Sequence, residues 1–146
     1  MTTFADSSTL VKLYIDEAEH EAVRSLPGLV IAQLARVEVP AALWLKRRMG
    51  VLSDDEARLL ALDFQADYSG TAQEPPRFAV VSVTTAVLDA AARYTAVHGL
   101  RAYDAVQLAT ARAARSADPD CTRMAVFDKT LRAAGATEGF ELVPPD

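Results

Sequence analysis

Asp6, Glu38, Asp104 and Asp128 are the acids of this 146-residue chain whose positions invite chemistry. Asp6 directly follows the apolar run Thr2-Thr3-Phe4-Ala5, and Asp128 directly follows Met124-Ala125-Val126-Phe127. Glu38 falls in the first turn of a helical stretch after the run Leu29-Val30-Ile31-Ala32, and Asp104 opens the helical stretch from Tyr103 to Ala109. An acid at a helix start ordinarily caps the helix or complements its dipole, a contribution of about 0.3–1 kcal/mol. Several such acids at one edge would also repel, raising one another's pKa values. A hard divalent cation removes that cost. Mg2+ or Mn2+ takes carboxylate oxygens in octahedral geometry and keeps several waters. Water activated on such a cation attacks a phosphodiester, while the cation neutralises the charge developing on the phosphate. The charge balance fits this grouping: fifteen basic residues face twenty acids, and setting the four aside leaves sixteen.

Whether the four meet depends on the elements that carry them. Five short runs, Thr2–Ala5, Leu29–Ala32, Phe78–Val83, Met124–Phe127 and Glu141–Val143, are too short for helices and rich in β-branched or aromatic residues, which predicts buried strands. Helical segments lie between them. Ser53-Asp54-Asp55-Glu56 is a capping box that opens a helix with Ala57, Leu60, Ala61 and Phe64 on one face. Thr84-Thr85 caps another, with Val87, Leu88, Ala91 and Thr95 on one face and Gly99 just past its end. Gly50 and Gly135 suit the ends of two more. Pro40 places itself and Glu38 in a first turn, where proline is tolerated. Strands alternating with helices imply right-handed crossovers and an α/β fold. The expectation is a three-layer α/β/α domain over residues 1–146, with a mostly parallel central sheet. Ligands of such sheets bind beyond the carboxyl ends of the strands. Asp6, Glu38 and Asp128 point to that edge directly. Asp104 follows another helix and reaches it only if its own helix packs against the same edge.

Composition removes the competing classes. Cys121 is the single cysteine, which excludes an intramolecular disulfide framework and a cysteine-cluster zinc site and suits a reducing compartment. A formal charge of −5 is too balanced for a basic nucleic-acid coat. No apolar run approaches the roughly 18–20 residues of a membrane span. The N-terminal residues through Asp6 hold no basic segment ahead of an apolar stretch, which predicts no signal peptide and a cytoplasmic location. The stretch from Ser69 to Arg77 is short enough to be a loop within one domain.

Four blocks now stand in order: Phe4-Ala5-Asp6-Ser7-Ser8, Ala35-Arg36-Val37-Glu38, Leu100-Arg101-Ala102-Tyr103-Asp104-Ala105-Val106-Gln107-Leu108-Ala109, and Val126-Phe127-Asp128-Lys129-Thr130-Leu131. Together they resemble the four motifs of PIN-domain nucleases, and the Asp104 block is the most specific of them. The short chain and the Arg-Ala-Tyr-Asp-Ala segment resemble the VapC-type toxins of bacterial toxin–antitoxin pairs. The resemblance implies a Mg2+- or Mn2+-dependent endoribonuclease that acts on RNA as a homodimer and is inhibited by a cognate VapB-type antitoxin. It implies Asp6, Glu38, Asp104 and Asp128 as the metal-site acids. One position departs from the pattern. Many relatives carry Ser or Thr two residues before the fourth acid, where this chain has Val126; Ser7 and Thr130 are the nearby hydroxyls.

Arg101 and Arg36 lie inside these blocks, and a guanidinium binds phosphate in a bidentate way; the plainer role is a surface ion pair. Ser7 either orients a water or caps the first helix. Lys46-Arg47-Arg48 complements a helix dipole, with an RNA-backbone patch as the sharper alternative. His98 suits a helix C-terminus, and His20 a solvated acidic face. Trp44, with Leu43 and Met49, belongs to the core or to an apolar face for a partner helix. Two other functions compete: a catalytically degenerate PIN domain serving as a binding module in RNA processing, and an aspartyl-phosphate phosphatase using Asp6. The second wants another Asp two residues on, where the chain has Ser8.

Overall fold

The computed structural model describes residues 2–146. Its elements run β1 (Thr3–Ala5), α1 (Ser7–Val11), α2 (His20–Arg24), β2 (Leu29–Ala32), α3 (Ala35–Arg48), α4 (Asp54–Ser69), β3 (Ala79–Val81), α5 (Thr85–Val97), α6 (Ala102–Ala117), β4 (Arg123–Ala125), α7 (Lys129–Thr137) and β5 (Glu141–Val143). The five strands form one sheet in the order β3-β2-β1-β4-β5. Every pairing is parallel, with Phe4 of β1 set against Val30 on one side and Met124 on the other. The fold is the expected three-layer α/β/α sandwich, with a wholly parallel sheet.

Strand periodicity explains the two covering layers, because successive side chains leave a strand on opposite faces. Phe4, Val30, Ala32 and Met124 enter one core with Val87, Ala91 and Tyr94 of α5, Leu108 of α6 and Leu131 of α7. Ala5, Leu29, Ile31 and Ala125 enter the other, with Leu10 of α1, Val39 and Leu43 of α3 and Phe64 of α4. Among the described residues no helix is long and apolar enough to cross a membrane.

The helix ends follow their signals. Ser53 and Glu56 form the reciprocal capping box of α4, and Thr84 caps α5 through the Val87 N–H. Gly50 and Gly99 follow α3 and α5 with φ of +79° and +64°, a region that favours glycine.

Four expectations are corrected. Gly135 lies inside α7 and ends nothing: a Cβ there would stand 3.0 Å from Met124 Sδ, so the missing side chain lets α7 settle on the sheet. Pro40 sits in the second turn of α3, because that helix already begins at Ala35. The buried face of α5 is Val87, Ala91 and Tyr94; Leu88 and Thr95 point outward. The third and fifth strands are shorter or more open than buried strands, since β3 and β5 are the two sheet edges and Ala79, Val80 and Glu141 face solvent.

At the amino ends of the strands, Glu138 ties three helices together. It follows α7, meets His98 Nε2 at 2.9 Å after α5, and takes Arg112 of α6 at 3.3 Å and the Tyr94 hydroxyl at 3.4 Å. The Arg115 guanidinium donates to its carbonyl at 2.9 Å. His98 thus does more than complement a dipole. Glu138→Ala is expected to lower stability by about 1–2 kcal/mol, because it leaves the shielded His98 Nε2 unpaired and takes the carboxylate partner from Arg112, while Tyr94 keeps its bond from Arg112. A denaturant midpoint measures this, and cleavage by the folded variant should be unchanged, since the acids lie at the opposite sheet edge.

Candidate functional site

The chain runs from β1 outward to β2 and β3, then returns past β1 to β4 and β5. That reversal leaves a crevice at the carboxyl ends of β1 and β4, where open parallel sheets take their ligands. Asp6 follows β1 and Asp128 lies three residues beyond β4, so these two flank it. The sequence run before Asp128 ends as a strand at Ala125; Phe127 lies in the connection.

Asp6 is buried and is the N-cap of α1. Its Oδ1 accepts from the Thr9 N–H at 3.0 Å and from the Thr9 hydroxyl at 2.7 Å. Those two bonds favour the carboxylate, yet its pKa is pushed up to about 6: burial is the largest cause, and the charges of Asp104 and Glu38 add to it. Asp104 lies in the first turn of α6 and is likewise raised, by burial first and then by Asp128, against the lowering effect of Arg101. The four acids therefore share one electrostatic neighbourhood. Asp128 itself is exposed and caps α7 through the Leu131 N–H at 2.9 Å.

Glu38, in the first turn of α3, is held from two sides. The Ser7 hydroxyl donates to its Oε1 at 2.8 Å, and Gln107 Nε2 donates to the same oxygen at 2.8 Å and to Ser7 Oγ at 2.9 Å. Ser7 is thus a partner of Glu38, and Asp6 does the capping. Gln107 was not among the residues singled out from sequence. Its signal was the spacing from Asp104, since three residues on a helix return to the same face.

Among the described residues, no three His, Cys, Asp or Glu side chains converge closely enough to hold a metal ion as they stand. The donor chemistry nonetheless fits one. The acids offer hard oxygen donors, two of them are raised by burial and by neighbouring charge, and both bonds from Thr9 fall on one oxygen of Asp6. Hard oxygen ligands in that state suit Mg2+ or Mn2+.

The flanking candidates divide. Arg101 is 85% exposed and pairs with Asp104 Oδ2 at 3.5 Å, at the rim of the site. Arg36 stands elsewhere, its guanidinium 5.5 Å over the Tyr68 ring, in a groove between α3 and α4 that Trp44, Arg58 and Leu62 also line. Lys46 pairs with Glu17 at 2.9 Å and Arg47 with Asp54 at 2.6 Å, so both have carboxylate partners. Val126 is fully buried in the core, which leaves no hydroxyl at that position; Thr130 is exposed on α7. His20 is half-buried, its Nδ1 2.8 Å from the Glu17 carbonyl.

Residues 3–135 match the family model of the PIN domain. No curated protein matches the chain.

Proposed function

The chain belongs to the PIN-domain family, whose members are generally nucleases, and on that premise we propose that it is a Mg2+- or Mn2+-dependent endoribonuclease of the VapC type, the toxin of a toxin–antitoxin pair. The observation that carries the metal site is the placement of Asp6 and Asp128 at the β1–β4 crevice, with Glu38 tied to Ser7 and to Gln107 one turn beyond Asp104. Asp6, Asp104 and Asp128 would hold the cation, with Glu38 completing the set. Bound there, it would activate water and neutralise the phosphate.

The chain's own residues account for the rest of the mechanism. Thr9 fixes the Asp6 carboxylate by two bonds to one oxygen. Ser7 and Gln107 fix Glu38. Arg101, at the exposed rim, is placed to meet an RNA phosphate once Asp104 turns toward a cation. Arg36, which lies over Tyr68 in the α3–α4 groove, is the second choice for that contact. The half-buried Trp44 and exposed Leu62 in the α3–α4 groove support a partner helix such as a VapB-type antitoxin. The dimer and the cytoplasmic location follow from the same assignment.

The test is inducible expression in a bacterial host of the wild type and of Asp104→Ala, with growth followed and RNA 5′ ends mapped. Arrest with discrete new ends in the wild type alone is the expected result. New ends at equal yield from Asp104→Ala would remove the carboxylate mechanism. Arrest without new RNA ends would favour the binding-module alternative.

A further inference from the structure

We propose that Gln107 is a positioning residue for the metal site, acting through Glu38; the proposal rests on the metal-dependent reading above. Gln107 is 2% exposed on α6, one turn beyond Asp104, and its amide reaches across to two other elements. Nε2, Ser7 Oγ and Glu38 Oε1 form a closed triangle with sides of 2.9, 2.8 and 2.8 Å. One amide thus locks α1, α3 and α6 together at the crevice where their acids meet.

The orientation of the amide is dictated by charge. Turned the other way, it would set its carbonyl oxygen against the Glu38 carboxylate, acceptor facing acceptor. Turned as it is, its own Oε1 is buried and unpartnered. An orphaned buried carbonyl is costly, and an apolar side chain of the same length would avoid that cost beside the alanines and Leu108 of α6. The residue therefore serves the position of the Glu38 carboxylate at the expense of local packing. Residues that orient metal-binding carboxylates in this way change metal affinity by about 10–100-fold when replaced.

The experiment measures Mn2+ alone binding to the purified protein by isothermal titration, together with thermal melting of the metal-free form. Wild type, Gln107→Met, Glu38→Gln and the double variant form a cycle, and Gln107→Leu guards against a fault peculiar to methionine. Gln107→Met is expected to weaken Mn2+ binding about 10–100-fold with the metal-free melting temperature unchanged or higher. In the Glu38→Gln background the same replacement should add little, because its route to the metal has been removed. A variant that melts lower yet binds Mn2+ as the wild type does would make Gln107 a packing residue and overturn the proposal. An equal loss in both backgrounds would also overturn it. Wild type that binds no Mn2+ would instead remove the metal reading itself, and this proposal with it.

Discussion

Asp104→Asn and Asp6→Asn are each expected to lower RNA cleavage by about a thousandfold or more while the protein remains folded. A bound divalent cation contributes several kcal/mol of charge stabilisation to phosphodiester hydrolysis, and about 4 kcal/mol corresponds to that factor. Both substitutions keep the shape of the side chain and remove its charge. At Asp6 the amide oxygen of Asn still accepts from Thr9, so the cap of α1 survives. Asp128→Asn should cost less, because that side chain is exposed and already spends an oxygen on the Leu131 N–H. Combining Asp6→Asn with Asp104→Asn should add little to either, as expected of residues that act as one unit. Single-turnover cleavage of an RNA substrate at saturating Mn2+, beside circular dichroism of each variant, measures all four. Wild-type rates in folded Asp104→Asn would end the assignment.

The size of these effects does not follow which features could be read along the chain and which required the fold. Asp6 was legible because an acid directly after a strand announces the sheet edge, and Asp128 because it follows β4 within three residues and caps the next helix. Asp104 was legible as a helix start, but its place at that edge was a tertiary fact: α6 follows α5 without an intervening strand. What brings it there is the packing of Ala105 and Leu108 into one core and the reach of Gln107 to Ser7 and Glu38. A glutamine within an alanine-rich helix gives no sign from sequence of which side chain it will find. Arg36 shows the opposite failure. Its place in a motif block suggested phosphate, whereas two residues, about half a turn of α3, separate it from Glu38 and point it toward Tyr68 on α4, two elements that periodicity alone could not align. Gly135 failed for a similar reason, since glycine stops a helix or admits a neighbour, and only the distance to Met124 decides between them.

The metal-free protein should lose stability as the pH rises through about 6, in the sense opposite to an ordinary paired carboxylate. The folded-state pKa of Asp6 is raised from 3.8 to about 6, so the native state binds that proton more tightly than the unfolded chain. Its contribution is fully favourable below the unfolded value and is lost between pH 4 and pH 7. The shift corresponds to roughly 3 kcal/mol for this buried group, and the raised Asp104 acts in the same direction. Other groups titrate too, so the informative quantity is the difference between wild type and Asp6→Asn, measured by urea unfolding from pH 4 to pH 8. The variant should gain on the wild type across that interval and be the more stable of the two at pH 7. Mn2+ at a thousand times its Kd should then reverse the order, because it stabilises the native state by about 4.1 kcal/mol and Asp6→Asn forfeits most of it. Parallel curves for the two proteins would mean that Asp6 is an unperturbed cap. The distinction is physical: neutralising an exposed helix cap weakens a fold, whereas neutralising a carboxylate that is buried, with other acids nearby, strengthens it until the cation arrives.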